Sequence, residues 1–448
     1  MHTQNYNQEE TSPTAARDLL HEKWARQVVR FPDFSLDSVD YADLSAREQD
    51  LVRAIDRSLS RRFLTVHFLL RQKLSRRFET LHPAVRSALA VGAAQLLFFE
   101  RIPAHAVINE SVEWVKKRRG SGPAGMVNAV LRRLAESVSG KCENYDPTAL
   151  DQVPLSDGSA LLLEEKVLPT DPVDRIAVAT SHPVSLCRHW LLRQKSTTVR
   201  QRCLHDLVHP PIVLNTRYTQ TEQIPDAEPH LTPGCHVYRG KTDQLKSFLA
   251  EHRDVWVQDA ASATALDVAL DTKPGLILDL CAGKGTKTRQ LQRMFPESSI
   301  VATDVDRKRL EILRQSFPAD EQVRILNPPE LRDYYGKADL ILLDVPCSNS
   351  GVLARRPEAR YRLTSGSLSG LRDLQRQITA DALPLLRTGG QILYATCSLE
   401  EEENQMHAEW ITRWHGMQVI RQSEVQPAGL PGEEPYHYRD GSFSVLMG

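Results

Sequence analysis

From Ala15 to about Glu136 apolar residues recur every three or four positions, as in Val85, Leu89 and Gly92 with Leu96, or Val127, Val130, Leu131 and Leu134. Strand-like alternation is scarce there, so this stretch reads as amphipathic helices sharing one core. Pro83 and Pro103 stand where helices should begin, and Gly120-Ser121-Gly122-Pro123 breaks the pattern. Between Gly140 and Ser181 the chain turns to Pro147, Pro154, Pro169 and Pro172 with acidic residues and Gly158, the composition of a connector with one short helix. From His182 to Ala269 the pattern is mixed, with a helix near Ser196 to Leu207 and a strand at Ile212-Val213-Leu214-Asn215. After Pro274, short apolar runs at Leu276–Leu280, Ile300–Thr303, Val323–Leu326, Leu340–Leu343 and Gln391–Ala395 alternate with helical stretches. Near-continuous apolar strands alternating with helices specify a parallel sheet covered on both faces. The division is an all-helical domain over 12–140, a connector over 141–180, a mixed α/β segment over 181–270 and a Rossmann-like sheet domain over 271–448.

Composition agrees with several packed cores. The chain has 448 residues, 41% hydrophobic and 25% charged, which excludes global disorder and predicts about three domains. Lys plus Arg (56) nearly cancels Asp plus Glu (57), so contact with a nucleic acid would have to come from local basic runs. Seven cysteines without a CxxC pair do not make a disulfide framework or a zinc ribbon and point to a reducing compartment, the cytoplasm. The polar run Met1 to Glu10 has no apolar core for a secretion signal, and the apolar stretch Ala88–Phe99 is too short to span a bilayer. No membrane role is expected.

The first strand of the sheet runs into Asp279-Leu280-Cys281-Ala282-Gly283-Lys284-Gly285-Thr286-Lys287-Thr288, with a helix expected from Arg289. Glycines at a strand-to-helix turn let a ligand approach unpaired backbone N–H groups. A Walker loop would need Gly-Lys-Ser/Thr, and a dehydrogenase fingerprint a third glycine where Thr288 stands, so neither pattern is met. Asp304, at the end of the second strand, lies where an acid suits a ribose diol. The alternative is a sharp turn with a surface acid.

Two further strands run into Asp344-Val345-Pro346-Cys347-Ser348 and Ala395-Thr396-Cys397-Ser398. Ligands of a doubly wound sheet sit beyond the carboxyl ends of its strands, so Asp344 and both cysteines should share one crevice. Cys142, Cys187, Cys203 and Cys235 read as small buried hydrophobes. A thiolate zinc site from Cys281, Cys347 and Cys397 competes for the same edge. Its spacings are not those of closed zinc sites and no His lies close in sequence. No metal is therefore expected, and two thiols near an adenosine-type pocket suggest covalent catalysis.

These residues, with Gly351-Val352-Leu353-Ala354-Arg355-Arg356-Pro357-Glu358 and Leu399-Glu400 followed by Glu403-Asn404, resemble the RNA cytosine-C5 methyltransferases of the NusB-linked ribosomal type (Sun/Fmu, RsmB). The helical domain shares the likeness: Ile102-Pro103-Ala104-His105-Ala106-Val107-Ile108-Asn109-Glu110 and Val127-Asn128-Ala129-Val130-Leu131-Arg132 look like a NusB-type RNA-binding fold. The resemblance implies an all-α NusB-like domain before an α/β Rossmann-like methyltransferase domain that uses S-adenosylmethionine. It implies that Cys397 attacks carbon 6 of cytosine, that Cys347 helps release the product, and that Asp344 hydrogen-bonds the pyrimidine edge. The target base must leave its stack or be presented unpaired. A free thiol titrates near ~8.5, so the pocket should activate Cys397.

For the cofactor, the resemblance implies Cys281, Ala282, Gly283, Lys284, Gly285, Thr286 and Lys287 around the methionine end, Asp304 on the ribose, Asn327 near the adenine, and Asp344 close by. Lys284 and Thr286 depart from the family's Cys-Ala-Ala-Pro-Gly-Gly-Lys-Thr loop, where Pro and Gly stand. The RNA partner, expected to be 16S ribosomal RNA, would meet Arg61, Arg62, Lys116 and Lys117 on the helical domain and Arg355 and Arg356 near the active-site loop. Such runs are also what solvated helix faces look like. A monomer is expected. The competing reading is an RNA-binding ribosome-assembly or antitermination-like protein whose methyltransferase domain has decayed; a dehydrogenase ranks third.

Overall fold

The structure, a computed structural model, describes residues 13–34, 44–221, 223–318 and 320–448, with side chains from residue 16 onward. The polar run Met1 to Glu10 lies outside the described residues. The chain divides into two units, one ending at Leu207 and taking in Arg360–Arg362, the other comprising Val208–Ala359 and Leu363–Gly448.

Five helices build the start of the first unit: α1 Pro13–Arg30, α2 Ala46–Lys73, α3 Pro83–Phe98, α4 Ala104–Arg119 and α5 Ser121–Glu136. Their ends follow local chemistry. Ser45 and Glu48 form a reciprocal capping box at the start of α2, which satisfies N–H groups that the helix itself leaves unpaired. Pro83 occupies the first turn of α3, where a missing N–H costs nothing. The expected break narrows to Gly120 alone, and Ser121, Gly122 and Pro123 become the first turn of α5. Leu20, Trp24, Leu59, Leu89, Leu131 and Leu134 are fully buried in the common core.

The stretch expected to be a connector folds instead. Val138–Cys142 (β1), Gln152–Pro154 (β2) and Ala160–Leu163 (β3) form an antiparallel sheet in the order β1-β3-β2. Val153, Leu161 and Leu163 join the helical core, so burial of three apolar side chains anchors strands too short to show as alternation. Helices α6 Pro172–Ala179, α7 Val184–Leu191 and α8 Ser196–His205 follow.

The second unit opens with β4 Ile212–Asn215, β5 Ala227–Pro229, β6 Cys235–Tyr238 and β7 Trp256–Val257, an antiparallel sheet in the order β5-β6-β4-β7, with helices α9 Thr242–Glu251 and α10 Ala260–Thr264. Then β8 Leu276–Asp279, α11 Thr286–Met294, β9 Ser299–Ala302, α12 Arg307–Ser316, β10 Val323–Ile325, β11 Ala338–Asp344, α13 Ala359–Arg362, α14 Ser365–Ala382, β12 Leu386–Thr396, α15 Gln405–His415, β13 Val419–Val425 and β14 Ser442–Met447 complete the chain. The large sheet has the order β10-β9-β8-β11-β12-β14-β13. Its first five strands are parallel, and β14 runs antiparallel between β12 and β13. Successive strand residues feed opposite cores: Ile277, Ile300 and Leu342 pack with Leu291 and Leu313 on one face, Leu278, Val301 and Leu343 with Ala382 and Ile411 on the other. Strand order reverses between β8 and β11, the place at whose carboxyl ends doubly wound sheets bind their ligands.

Candidate active site

β8 ends in Asp279, and the loop beyond it turns through Gly283 and Gly285 at positive φ (59° and 90°). A Cβ on Gly285 would stand 2.7 Å from the Phe317 ring and 2.9 Å from Leu313, so only glycine fits. The left-handed Gly285 caps α11, which therefore starts at Thr286, three residues before the expected Arg289. Asp304 holds the loop: Oδ2 accepts the Gly283 N–H at 2.9 Å and Oδ1 that of Asp306 at 2.8 Å.

Asp279, quoted in the loop motif without a role, closes β8 at the head of the loop. Its carboxylate is fully buried. Oδ2 accepts the Thr288 hydroxyl at 2.7 Å, whereas Oδ1 has no hydrogen-bond partner. Burial, with the nearby charge of Asp344, raises its pKa to about 7. The signal in the sequence was an acid closing an otherwise apolar strand. Lys287 turns towards Asp344, with Nζ 2.8 Å from Oδ2. Burial opposes its charge, but the Asp344 carboxylate outweighs burial and raises the lysine's pKa.

β11 and β12 pair in parallel with Asp344 opposite Ala395, so the segments leaving them emerge side by side. Cys347 and Cys397 meet there, Sγ to Sγ at 3.1 Å. The hydrogen bond to the Cys397 sulfur, and then burial, push the Cys347 thiol well above its ordinary pKa. Either sulfur can be the donor in this contact. Beneath the pair, Glu403 ties both segments together. Oε1 accepts the Ser348 N–H at 2.9 Å and the Gln375 amide at 2.9 Å, and Oε2 accepts the Ser398 hydroxyl at 2.5 Å. Ser398 also lies 3.1 Å from Ser348 and 3.3 Å from Ser350, and the Asn404 amide donates to the Ser398 carbonyl at 2.9 Å. Glu403 and Asn404, visible in the sequence only as motif neighbours, are thus the scaffold of the two thiols. Gly351 sits against this scaffold: its N–H donates to the Cys397 carbonyl at 2.9 Å, and a Cβ there would lie 2.8 Å from that oxygen.

The profile of the 16S rRNA methyltransferase RsmB/F family matches residues 263–432, which contain the loop, Asp344 and both cysteines. The NusB family profile matches residues 18–136, the helical bundle of the first unit. Ribosomal RNA small subunit methyltransferase B of Vibrio cholerae is 30% identical over 370 residues, covering 80% of this chain and 80% of the relative. The chain belongs to the RsmB family. The homonymous protein of Pseudomonas syringae pv. tomato is 31% identical over 374 residues, covering 77% of the chain and 75% of the relative. Among solved structures, that of PH0851 aligns with a TM-score of 0.70 at 20% identity, covering 98% of this chain and 99% of the other, a likeness of fold.

In this RsmB-family chain the remaining expected site residues fall into three groups. Cys281, Ala282 and Lys284 line the glycine loop, with burial pushing the Cys281 thiol up to about 12; Lys284 and Thr286 are exposed. Asn327 follows β10, but its amide oxygen already accepts from Arg314 at 2.8 Å and its amide nitrogen donates to Glu330 at 2.7 Å.

The expected basic surface needs correction. Arg61 and Arg62 are buried. Arg62 donates to the carbonyls of Pro154 at 2.7 Å and Ala179 at 3.3 Å and lies over the Phe98 ring. Burial lowers its pKa to about 9. A helix carries basic residues on every face, and packing turned these two inward. Arg355 is committed as well, with Nε 2.6 Å from Asp440 and a terminal nitrogen 3.0 Å from Asp259. Lys116, Lys117 and Arg356 remain exposed. Among the described residues no helix is long and apolar enough to cross a membrane.

Proposed function

We propose that this RsmB-family protein methylates carbon 5 of a cytosine in 16S ribosomal RNA, with Cys397 as nucleophile and S-adenosylmethionine as methyl donor. The observation that carries the reading is the Cys347–Cys397 contact of 3.1 Å beside Asp344 at the carboxyl edge of the sheet. Carbon 5 of cytosine is a weak nucleophile. Addition of the Cys397 sulfur to carbon 6 pushes electron density onto carbon 5, as covalent catalysis divides one hard step into two easier ones. Asp344 keeps one oxygen on Lys287, leaving the other for the pyrimidine edge.

The loop fits the cofactor. An orphaned carboxylate oxygen on Asp279 suits the ammonium of the methionine end, the backbone N–H groups of the first turn of α11, from Thr286, suit its carboxylate, and Asp304 lies at the place of a ribose diol. When bound, S-adenosylmethionine supplies an electrophilic methyl group. Once Cys397 is bonded to carbon, the hydrogen bond that raised the Cys347 pKa is gone, so the Cys347 proton can leave to solvent. The Cys347 thiolate then takes the carbon-5 proton, and the electron pair of that C–H bond re-forms the C5–C6 double bond as the Cys397–carbon bond breaks and Cys397 departs as thiolate. The exposed Lys116, Lys117 and Arg356 are the candidates for phosphate contact. On this reading the protein works in the cytoplasm, where its RNA is.

Transfer of labelled methyl from S-adenosylmethionine to 16S ribosomal RNA, followed by bisulfite mapping, tests the proposal. Methylated cytosine with wild type and none with Cys397→Ala is the expected result. Label on another atom, or full activity in Cys397→Ala, refutes the covalent reading. The altered loop residues Lys284 and Thr286 favour the decayed-domain alternative; a calorimetric titration with S-adenosylmethionine that gave no heat and no competition by its demethylated product would support it.

A further inference from the structure

The turn that follows Cys347 holds a residue to which the covalent chemistry assigns no part. Asn349 has a φ of 61°, the left-handed region that side chains enter at a cost and that Asn tolerates better than most. In that conformation its amide spans both cysteine segments. Nδ2 donates to the Cys347 carbonyl at 3.0 Å, and Oδ1 accepts from the Cys397 thiol at 3.4 Å. The backbone is held in place, because the Asn349 carbonyl accepts the Val352 N–H at 3.0 Å and the neighbouring Ser348 and Ser350 are tied to Ser398. The hydrogen bonds thus form a continuous path from the Cys347 thiol to the Cys397 sulfur, from the Cys397 thiol to the amide oxygen, and from the amide nitrogen back to the Cys347 carbonyl.

We propose that Asn349 is a positioning residue for the Cys397 nucleophile: its amide oxygen aligns the resting thiol, and after a half-turn of the amide its N–H groups donate to the thiolate. The inference rests on the reading of Cys397 as the nucleophile. The proton leaves to solvent, Cys397 being only partly buried, and the half-turn gives up the bond to the Cys347 carbonyl. An amide is suited to this because it can present an acceptor or a donor on the same side. The other titratable groups facing Cys397 are Cys347 at 3.1 Å, Lys287 with Asp344 against it, and Glu403 below Cys347. Lys287 already serves Asp344, so Asn349 is a neutral donor at hand beside the Cys347 thiol.

Two variants keep the turn and change only the amide. Asn349→Gly permits the positive φ and deletes the hydrogen bond. Asn349→Asp keeps the shape but can only accept and adds negative charge. Two readouts are taken: methyl transfer to ribosomal RNA, and iodoacetamide alkylation of Cys397 against pH without RNA, mapped by peptide mass spectrometry. Asn349→Gly should lower kcat about tenfold, the worth of one hydrogen bond, with KM for RNA and cofactor unchanged. In Asn349→Asp the alkaline limb of both alkylation and methyl transfer should move up by about one pH unit, as a like charge disfavours the thiolate. Wild-type alkylation profiles in both variants would overturn the inference. If wild type alkylates as expected, the Asn349→Asp limb moves, and yet wild type modifies no RNA cytosine, the proposed function falls while the positioning role stands.

Discussion

Asp279→Asn should make the free protein more stable and its cofactor site worse. The Asp279 carboxyl is fully buried, and its pKa rises from 3.8 to about 7, a shift of roughly three units at about 1.4 kcal/mol each. Ionising it inside the fold therefore costs up to about 4 kcal/mol, an upper bound. Below pH ~4 the carboxyl is neutral in both folded and unfolded chains, and there is no penalty. Between pH ~4 and ~7 the unfolded chain releases its proton while the folded one keeps it, so stability falls as pH rises and levels off above ~7. Asn does not titrate and can still accept the Thr288 hydroxyl. The advantage of Asp279→Asn over wild type should thus grow by about 2 kcal/mol between roughly pH 5.5 and 8. Urea unfolding followed by circular dichroism at the two pH values measures it. In the same samples S-adenosylmethionine should protect wild type and protect Asp279→Asn at least about tenfold less well, because the buried carboxylate would pair with its ammonium. A variant no more stable than wild type at about pH 8, or an advantage that ignores pH, would refute the reasoning.

Other expectations concern the thiols and the basic residues. Cys347→Ala should accumulate a covalent RNA–protein adduct seen as a slow band on a denaturing gel, whereas the double variant with Cys397→Ala should show none. Arg62→Ala leaves the carbonyls of Pro154 and Ala179 without their donor; at about 1–3 kcal/mol for an unsatisfied buried group, the first unit should melt several degrees lower. Replacing Lys116 and Lys117 by Gln should leave melting unchanged and reduce the slope of log affinity for RNA against log salt by about two, as two fewer phosphate contacts require. Glu403→Ala removes the acceptor that joins Ser348, Ser398 and Gln375, so methyl transfer should fall more than about tenfold with calorimetric cofactor affinity unchanged.

The parallel sheet was legible because strands buried on both faces must be apolar throughout, and Ile277, Leu278, Leu342 and Leu343 are. The glycine loop and the two strand-end cysteines were legible because their chemistry is local. The three short strands β1, β2 and β3 were not, since their apolar content makes sense only against the helical core they complete. Nor were β13 and β14: β14 is buried along its whole length, but a partner more than forty residues away decides that it pairs antiparallel with β12. Arg61 and Arg62 look the same in sequence as the exposed Lys116 and Lys117, because a helix pattern does not say which neighbour will cover a long side chain with an apolar stem.

At the site the division is similar. The order of residues along the chain was enough to name Asp344, Cys347 and Cys397 and to send them to one edge, since strand ends and ligand positions follow from topology. Their protonation and reach were not there to be read. That the thiols lie 3.1 Å apart with the Cys347 pKa raised, that Asp279 keeps an unpaired oxygen, and that Asn349 bridges both cysteine segments are products of packing. Charge and hydrogen bonding depend on burial and on partners drawn from distant segments, and those exist only once the chain has folded.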